Sequence, residues 1–140
     1  MSAETHILDA SKEPLGRLAS KAAVLLMGKH RPSFERHRKE PVRVVVIHAE
    51  RAVLTGRKWR EKRYFRHSGY IGNLKAMSAA ELRARDSREL VRRAVRGMLP
   101  KNRLRTQLMK NLRIHRGAAV AGQAPQPEIR NPVSYPSTND

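Results

Sequence analysis

Among the 140 residues there is no cysteine, which excludes a disulfide framework and any thiolate zinc site and leaves no argument for secretion. Acidic residues are few: twelve Asp and Glu stand against thirty Lys and Arg, for a formal net charge of +18. From Gly97 to Pro127 there is no carboxylate at all, so nothing in that stretch can orient a histidine as a general base. No apolar run approaches the length of a membrane span, and Met1-Ser2-Ala3-Glu4-Thr5 has neither the basic opening nor the apolar stretch of a signal peptide. A cytoplasmic protein without a membrane partner is expected. Glycine patterns are equally thin. No Gly-x-Gly-x-x-Gly and no Walker sequence follows an apolar strand, and Leu15-Gly16-Arg17 is a single glycine in a turn. His30 and His37 stand seven apart, with His67 and His115 far away, none at metal-ligand spacing. These absences argue against an enzyme: no catalytic residue, metal, cofactor or small-molecule substrate is expected.

What is present is positive charge, and its excess draws a polyanion, with nucleic acid the leading partner. The interior is announced by Pro41-Val42-Arg43-Val44-Val45-Val46-Ile47-His48-Ala49. This run, rich in β-branched residues, is too short for a buried helix and too uniform for a strand with one wet face. It predicts the central strand of a parallel sheet covered on both faces by helices, hence an α/β fold. A short strand over His6–Ala10 precedes it. A helix opens at Pro14, carries Leu15, Leu18, Ala19, Ala22, Leu25 and Leu26 on one face, and ends at Gly28. Ala52–Gly56 reads as a second apolar segment closed by a glycine turn. Ser78-x-x-Glu81 and Asp86-x-x-Glu89 are capping boxes announcing two helices, the second broken at Gly97 and Pro100. Asn102 caps another helix up to Asn111, and Leu112–His115 alternates as a last short strand. The length suits a single domain over residues 1–117, with an extended tail over 118–140 that carries Pro125, Pro127, Pro132 and Pro136.

Two features point to RNA. In the stretch from Arg57 to Tyr70, the rings Trp59, Tyr64, Phe65 and Tyr70 are interleaved with Arg57, Lys58, Arg60, Lys62, Arg63 and Arg66. Such a stretch joins charges for phosphates with rings that can stack on unpaired bases; the competing reading is that the rings pack the core. In the second capped helix Arg85, Arg88, Arg92 and Arg96 fall near one face, an arrangement that repels itself unless an anion lies along it. No helix-turn-helix, zinc finger or RNA-recognition motif is visible, so shape and backbone recognition of folded RNA fits better than duplex-DNA readout.

Arg66-His67-Ser68-Gly69-Tyr70-x-Gly72 and Val95-Arg96-Gly97-Met98-Leu99-Pro100-Lys101-Asn102, with Leu8-Asp9-Ala10, Leu15-Gly16-Arg17-Leu18-Ala19, Gly28-Lys29-His30, Val45-Val46-Ile47-x-Ala49 and Thr55-Gly56 in matching order, resemble the signature stretches of the large-subunit ribosomal protein L-thirteen family, bacterial type. The likeness runs from about His6 to Gly117. It implies a three-layer α/β/α sandwich around a small, mostly parallel sheet, and a structural protein that binds large-subunit rRNA beside neighbouring ribosomal proteins and takes part in early subunit assembly. The chain departs from the family at Arg38-Lys39-Glu40-Pro41, at His48 where Asn is usual, at Leu104-Arg105-Thr106, and at His115. Residues expected on rRNA form three sets: Arg17, Lys21, Lys29, His30 and Arg31; Arg57, Lys58, Arg60, Arg63, Tyr64, Arg66, His67, Ser68 and Gly69; and Arg88, Arg92, Arg93, Arg96, Lys101, Arg103, Arg105 and Lys110. The runner-up is a regulatory RNA-binding protein that represses translation of messenger RNA. A nucleotide-fold enzyme comes third.

Overall fold

The computed structural model describes residues 3–118, and the expected tail lies almost wholly outside them. Strand β1 (Glu4–Asp9) leads into helix α1 (Leu15–Met27) and returns to β2 (Val42–Ile47). Next come a one-turn helix α2 (Lys58–Glu61), strands β3 (Arg63–His67) and β4 (Leu74–Ser78), helices α3 (Ala79–Met98) and α4 (Leu104–Lys110), and strand β5 (Leu112–Ile114). The sheet β1-β2-β5 is parallel throughout, with β2 in the middle as its run of β-branched residues predicts. The architecture is therefore α/β, with a small parallel sheet. A two-stranded antiparallel hairpin, β3-β4, stands apart from it.

Burial is unequal on the two faces of β2. Val42, Val44 and Val46 are fully buried and join the core with Leu18, Leu26, Leu90, Val91 and Val95 of α1 and α3. At about 1.5–3 kcal/mol for each fully buried aliphatic side chain, this face anchors the domain. On the other face Arg43 is exposed and Ile47 half-buried, and Val45 is buried without joining that cluster. The single charged interruption in the apolar run thus marks the more open side.

The ends of α1 follow the sequence. Pro14 is the N-cap, and Gly28, in the left-handed region at φ 76°, closes the helix: its N–H and that of Lys29 donate to Leu25 and Val24 carbonyls. A Cβ on Gly28 would also lie 2.5 Å from Glu40 Cγ, so glycine is required here twice over. His48 occupies the left-handed region as well (φ 55°), with Nδ1 3.2 Å from Asp9 Oδ1. That is the position where asparagine, the residue most tolerant of this conformation after glycine, is usual in the family resembled.

Several expectations are corrected. The first strand begins two residues earlier than the apolar pattern suggests, since Glu4 already pairs with Val42. Of Ala52–Gly56 only Val53 pairs, in an isolated bridge to Pro14. The two capped helices run together as α3 across a kink at Asp86 (φ −155°, ψ 102°), and Gly97 stays helical; the break comes at Leu99, just before Pro100. No helix among the described residues is long and apolar enough to cross a membrane. Val46→Asp places an unpaired carboxylate at the centre of the buried face and should cost on the order of several kcal/mol, enough to unfold a domain of this size. Far-UV circular dichroism with thermal melting checks this, and a folded, cooperative variant would contradict the placement of the core.

Candidate nucleic-acid interface

The basic, aromatic stretch folds into α2 and the β3-β4 hairpin, which turns through Gly69 (φ 93°) and Gly72 (φ 77°). Its four rings divide evenly between the two readings. Trp59 is half-buried under Arg83, whose guanidinium lies 5.0 Å from the ring centroid. Tyr64 packs against the core between Lys62 and Arg93, at 5.6 and 5.5 Å, and burial pushes its hydroxyl pKa up against the opposing charge of Arg93. Phe65 and Tyr70, by contrast, are 62% and 75% exposed, and Ile71 at the tip is fully so. The exposed rings are the ones free to stack on a base.

Pairing on the hairpin sets charge against like charge. Arg66 sits opposite Lys75, and both are exposed. A cross-strand pair of like charges is unfavourable in an isolated protein. Arg66 and Lys75 line one groove with Arg85 and Arg93 of α3. Arg63, His67, Ser68 and Gly69 are exposed on the hairpin, and Arg57, Lys58 and Arg60 on or beside α2.

The arginine row on α3 differs from its expected form. Asp86 caps the second half of the helix by accepting from the Arg88 backbone N–H (3.1 Å) and from Arg88 Nε (3.2 Å). Arg116 also reaches it, at 3.5 Å. Burial acts to raise the Asp86 pKa, but the hydrogen bonds from Arg88 and the charges of Arg88 and Arg116 outweigh it, and the carboxyl sits below its ordinary value. Glu89 holds Arg92 at 3.4 Å and Arg93 at 3.0 Å instead of completing a capping box. The Ser78 box is complete: Glu81 N–H donates to Ser78 Oγ and Ser78 N–H to Glu81 Oε2. Arg85 lies before the kink and leaves the row. Arg88, Arg92 and Arg96 are exposed, with Arg93 half-buried, and the first two are partly neutralised by acids of their own helix.

A second cleft joins two sequence motifs. Lys29, Arg36 and Arg38 from the loop after α1 face Pro100, Asn102 and Leu104 across it. Asn102 Oδ1 accepts from the Arg105 N–H, the cap read from the sequence. Lys101, Arg103 and Lys110 are exposed and Arg105 is half-buried. On α1, Arg17 is exposed, while Lys21 is bound to Glu13. His30 and Arg31 face inward instead. Arg31 holds Glu4 Oε2 through Nη2 (2.5 Å) and Nε (3.0 Å) and lies 3.5 Å from Glu40, and the His30 side chain is only 10% exposed. The crossover also brings His6 beside them, a juxtaposition that no sequence spacing announces. Lys75, Arg36 and Arg38 were not among the expected contact residues. A strand pairing reveals the first and the second cleft the others, whereas in the sequence each is one cation among many.

Comparison with known proteins agrees with the ordered motifs. A family model described as Ribosomal protein L13 matches residues 3–121. The chain is 49% identical over 121 residues to the large ribosomal subunit protein uL13 of Syntrophobacter fumaroxidans, covering 86% of this chain and 85% of that one. It is 46% identical over 123 residues to the uL13 protein of Kocuria rhizophila (88% and 84%) and 44% identical over 126 residues to that of Desulfotalea psychrophila (90% and 89%). The like-charge pair gives a direct check on the hairpin. Lys75→Glu turns repulsion across from Arg66 into attraction and should stabilise the free protein by about 0.2–1 kcal/mol, read as a rise in the thermal midpoint. A fall would show that the two cations are not opposed in solution.

Proposed function

The chain belongs to the ribosomal protein L13 family, and from that premise we propose that it is a structural constituent of the large ribosomal subunit, held by rRNA and taking part in early subunit assembly. The observation that carries the reading is the opposition of Arg66 and Lys75 on a hairpin whose tip exposes Tyr70 and Ile71. Phosphates between the two cations offset their repulsion, and the exposed rings supply stacking surface for unpaired bases. The Lys29–Asn102 cleft and the outward side of α3 extend the contact, with neighbouring ribosomal proteins as further partners. The domain works by positioning charge, with no reaction to catalyse. Cosedimentation with large subunits tests the assignment: RNA binding without subunit association would favour the messenger-RNA reading.

Two outcomes follow from phosphate binding. With about six or more phosphate contacts, affinity for the RNA should fall roughly a thousandfold or more between 50 and 200 mM salt, and a flat response would remove the electrostatic basis of the reading. The second concerns Arg88, Arg92 and Arg96. Replacing all three by Gln keeps helix propensity but breaks exposed ion pairs to Asp86 and Glu89, each worth about 0–1 kcal/mol, so the free protein should lose little stability. Incorporation into reconstituted large subunits, in competition with the wild type, should drop clearly. Equal incorporation would take the row off the interface and leave the hairpin as its centre.

A further inference from the structure

At the start of β1 and in the loop after α1, three side chains with metal-binding chemistry converge. His6 is 3% exposed and pairs in register with Val44 of the central strand. Its Nε2 lies 3.1 Å from Glu4 Oε1. His30 Nε2 lies 3.5 Å from Glu4 Oε2, and the two imidazoles meet edge to face with centroids 5.2 Å apart. One donor atom from each of Glu4, His6 and His30 falls within 4.8 Å of the others. We propose that these three residues form a binding site for a divalent cation, zinc by its donor set.

Donors bound to one tetrahedral zinc at about 2.0–2.1 Å stand roughly 3.3 Å from one another. The distances to the two Glu4 oxygens, 3.1 Å from His6 and 3.5 Å from His30, lie close to that value, and all three donor atoms fall within 4.8 Å of one another, so closing the site takes side-chain rotation without a change of backbone. Two imidazole nitrogens and one carboxylate oxygen suit zinc better than magnesium or calcium, which take oxygen ligands, and they leave a fourth position for water.

The surroundings favour a cation. Glu40 is 4% exposed, and its Oε1 has no hydrogen-bond partner, while the His30 ring, nine-tenths buried, has none at Nδ1. Two carboxylates, Glu4 and Glu40, face the single guanidinium of Arg31, so with neutral imidazoles the group is one unit negative. Arg31 bonds Oε2 of Glu4 and leaves Oε1 directed at His6. Glu4 is also the most exposed of the three, at 37%, and gives the ion a way in.

The full chain, stripped with chelator, should bind one equivalent of Co²⁺ with the visible absorption of a four- or five-coordinate ion, and one equivalent of Zn²⁺ should displace it. His30→Gln and His6→Gln should each weaken zinc binding at least about tenfold. Substitution of the exposed His37, which lies outside the cluster, by Gln should leave it unchanged. Zinc should raise the thermal midpoint of the wild type and not that of His30→Gln. Equal affinity in wild type and His30→Gln would overturn the proposal. So would a wild-type Co²⁺ spectrum no different from that of the aqueous ion, a readout that decides even if the variants fail to fold.

Discussion

Parallel strands cannot be joined by a tight turn, and the rest of the molecule depends on how β1 and β2 meet that constraint. The chain must climb back the length of the sheet between them, and α1 does so while burying Leu18, Ala19, Ala22 and Leu26 on the Val42–Val44–Val46 face. Gly28 then turns the chain, and the return loop passes the start of β1. Glu4 N–H is bonded there to the Pro41 carbonyl, and Glu40 packs against the glycine. The gathering of Glu4, His6, His30, Arg31 and Glu40 is a by-product of that crossover.

Charge is organised by the same economy. Most of the few acids serve structural ends: Glu81 closes a cap, Asp86 starts the second half of α3, Glu89 and Glu13 hold cations, and Asp9 binds Ser11 and His48. Glu4 and Glu40 are occupied in the crossover. Cations with no acid assigned to them gather on α2 and the hairpin, in the loop after α1 and around α4. An external polyanion is what such a distribution lacks, and the unpaired cations lie in patches divided by those structural acids.

Much of this was legible in the sequence. The run of valines located β2, Pro14 and Gly28 bounded α1, and Ser78 and Asn102 act as caps. The α/β class followed from those elements and their order, and the family from the resemblance carried by motifs such as Arg66–Gly72 and Val95–Asn102. The hairpin was illegible for a physical reason: from Arg63 to His67 only Tyr64 is even half-buried, so no alternation of apolar residues marks the strand. It is held by pairing with β4 and by the packing of Tyr64 toward Arg93. The cluster of His6 and His30 was hidden because a crossover joins residues that sequence spacing keeps far apart. Which of the four rings would pack also depended on that hairpin, since a β-strand sends neighbours such as Tyr64 and Phe65 to opposite sides.

The kink at Asp86 shows why the arginine row could not be read as one line. A straight helix from Ala79 to Met98 would carry Arg85 on with Arg88, Arg92 and Arg96. Asp86 instead takes an extended conformation and caps a new helical start, so the two halves of α3 do not share one line of arginines, although Arg93 of the second half still reaches Tyr64 of the hairpin. The first half lies under α2 and the hairpin, with Arg83 on Trp59 and Leu82 and Arg85 beside Tyr64 and Met77. The second ends against α1, where Ser20 Oγ donates to Met98 Sδ. Arg85 therefore belongs with the cations of the hairpin, while the other three are carried by the half that is fastened to the sheet through α1. One acidic residue thus separates the basic face of a single helix into a part beside α2 and the hairpin and a part that ends against α1, while both parts bury residues in the same core.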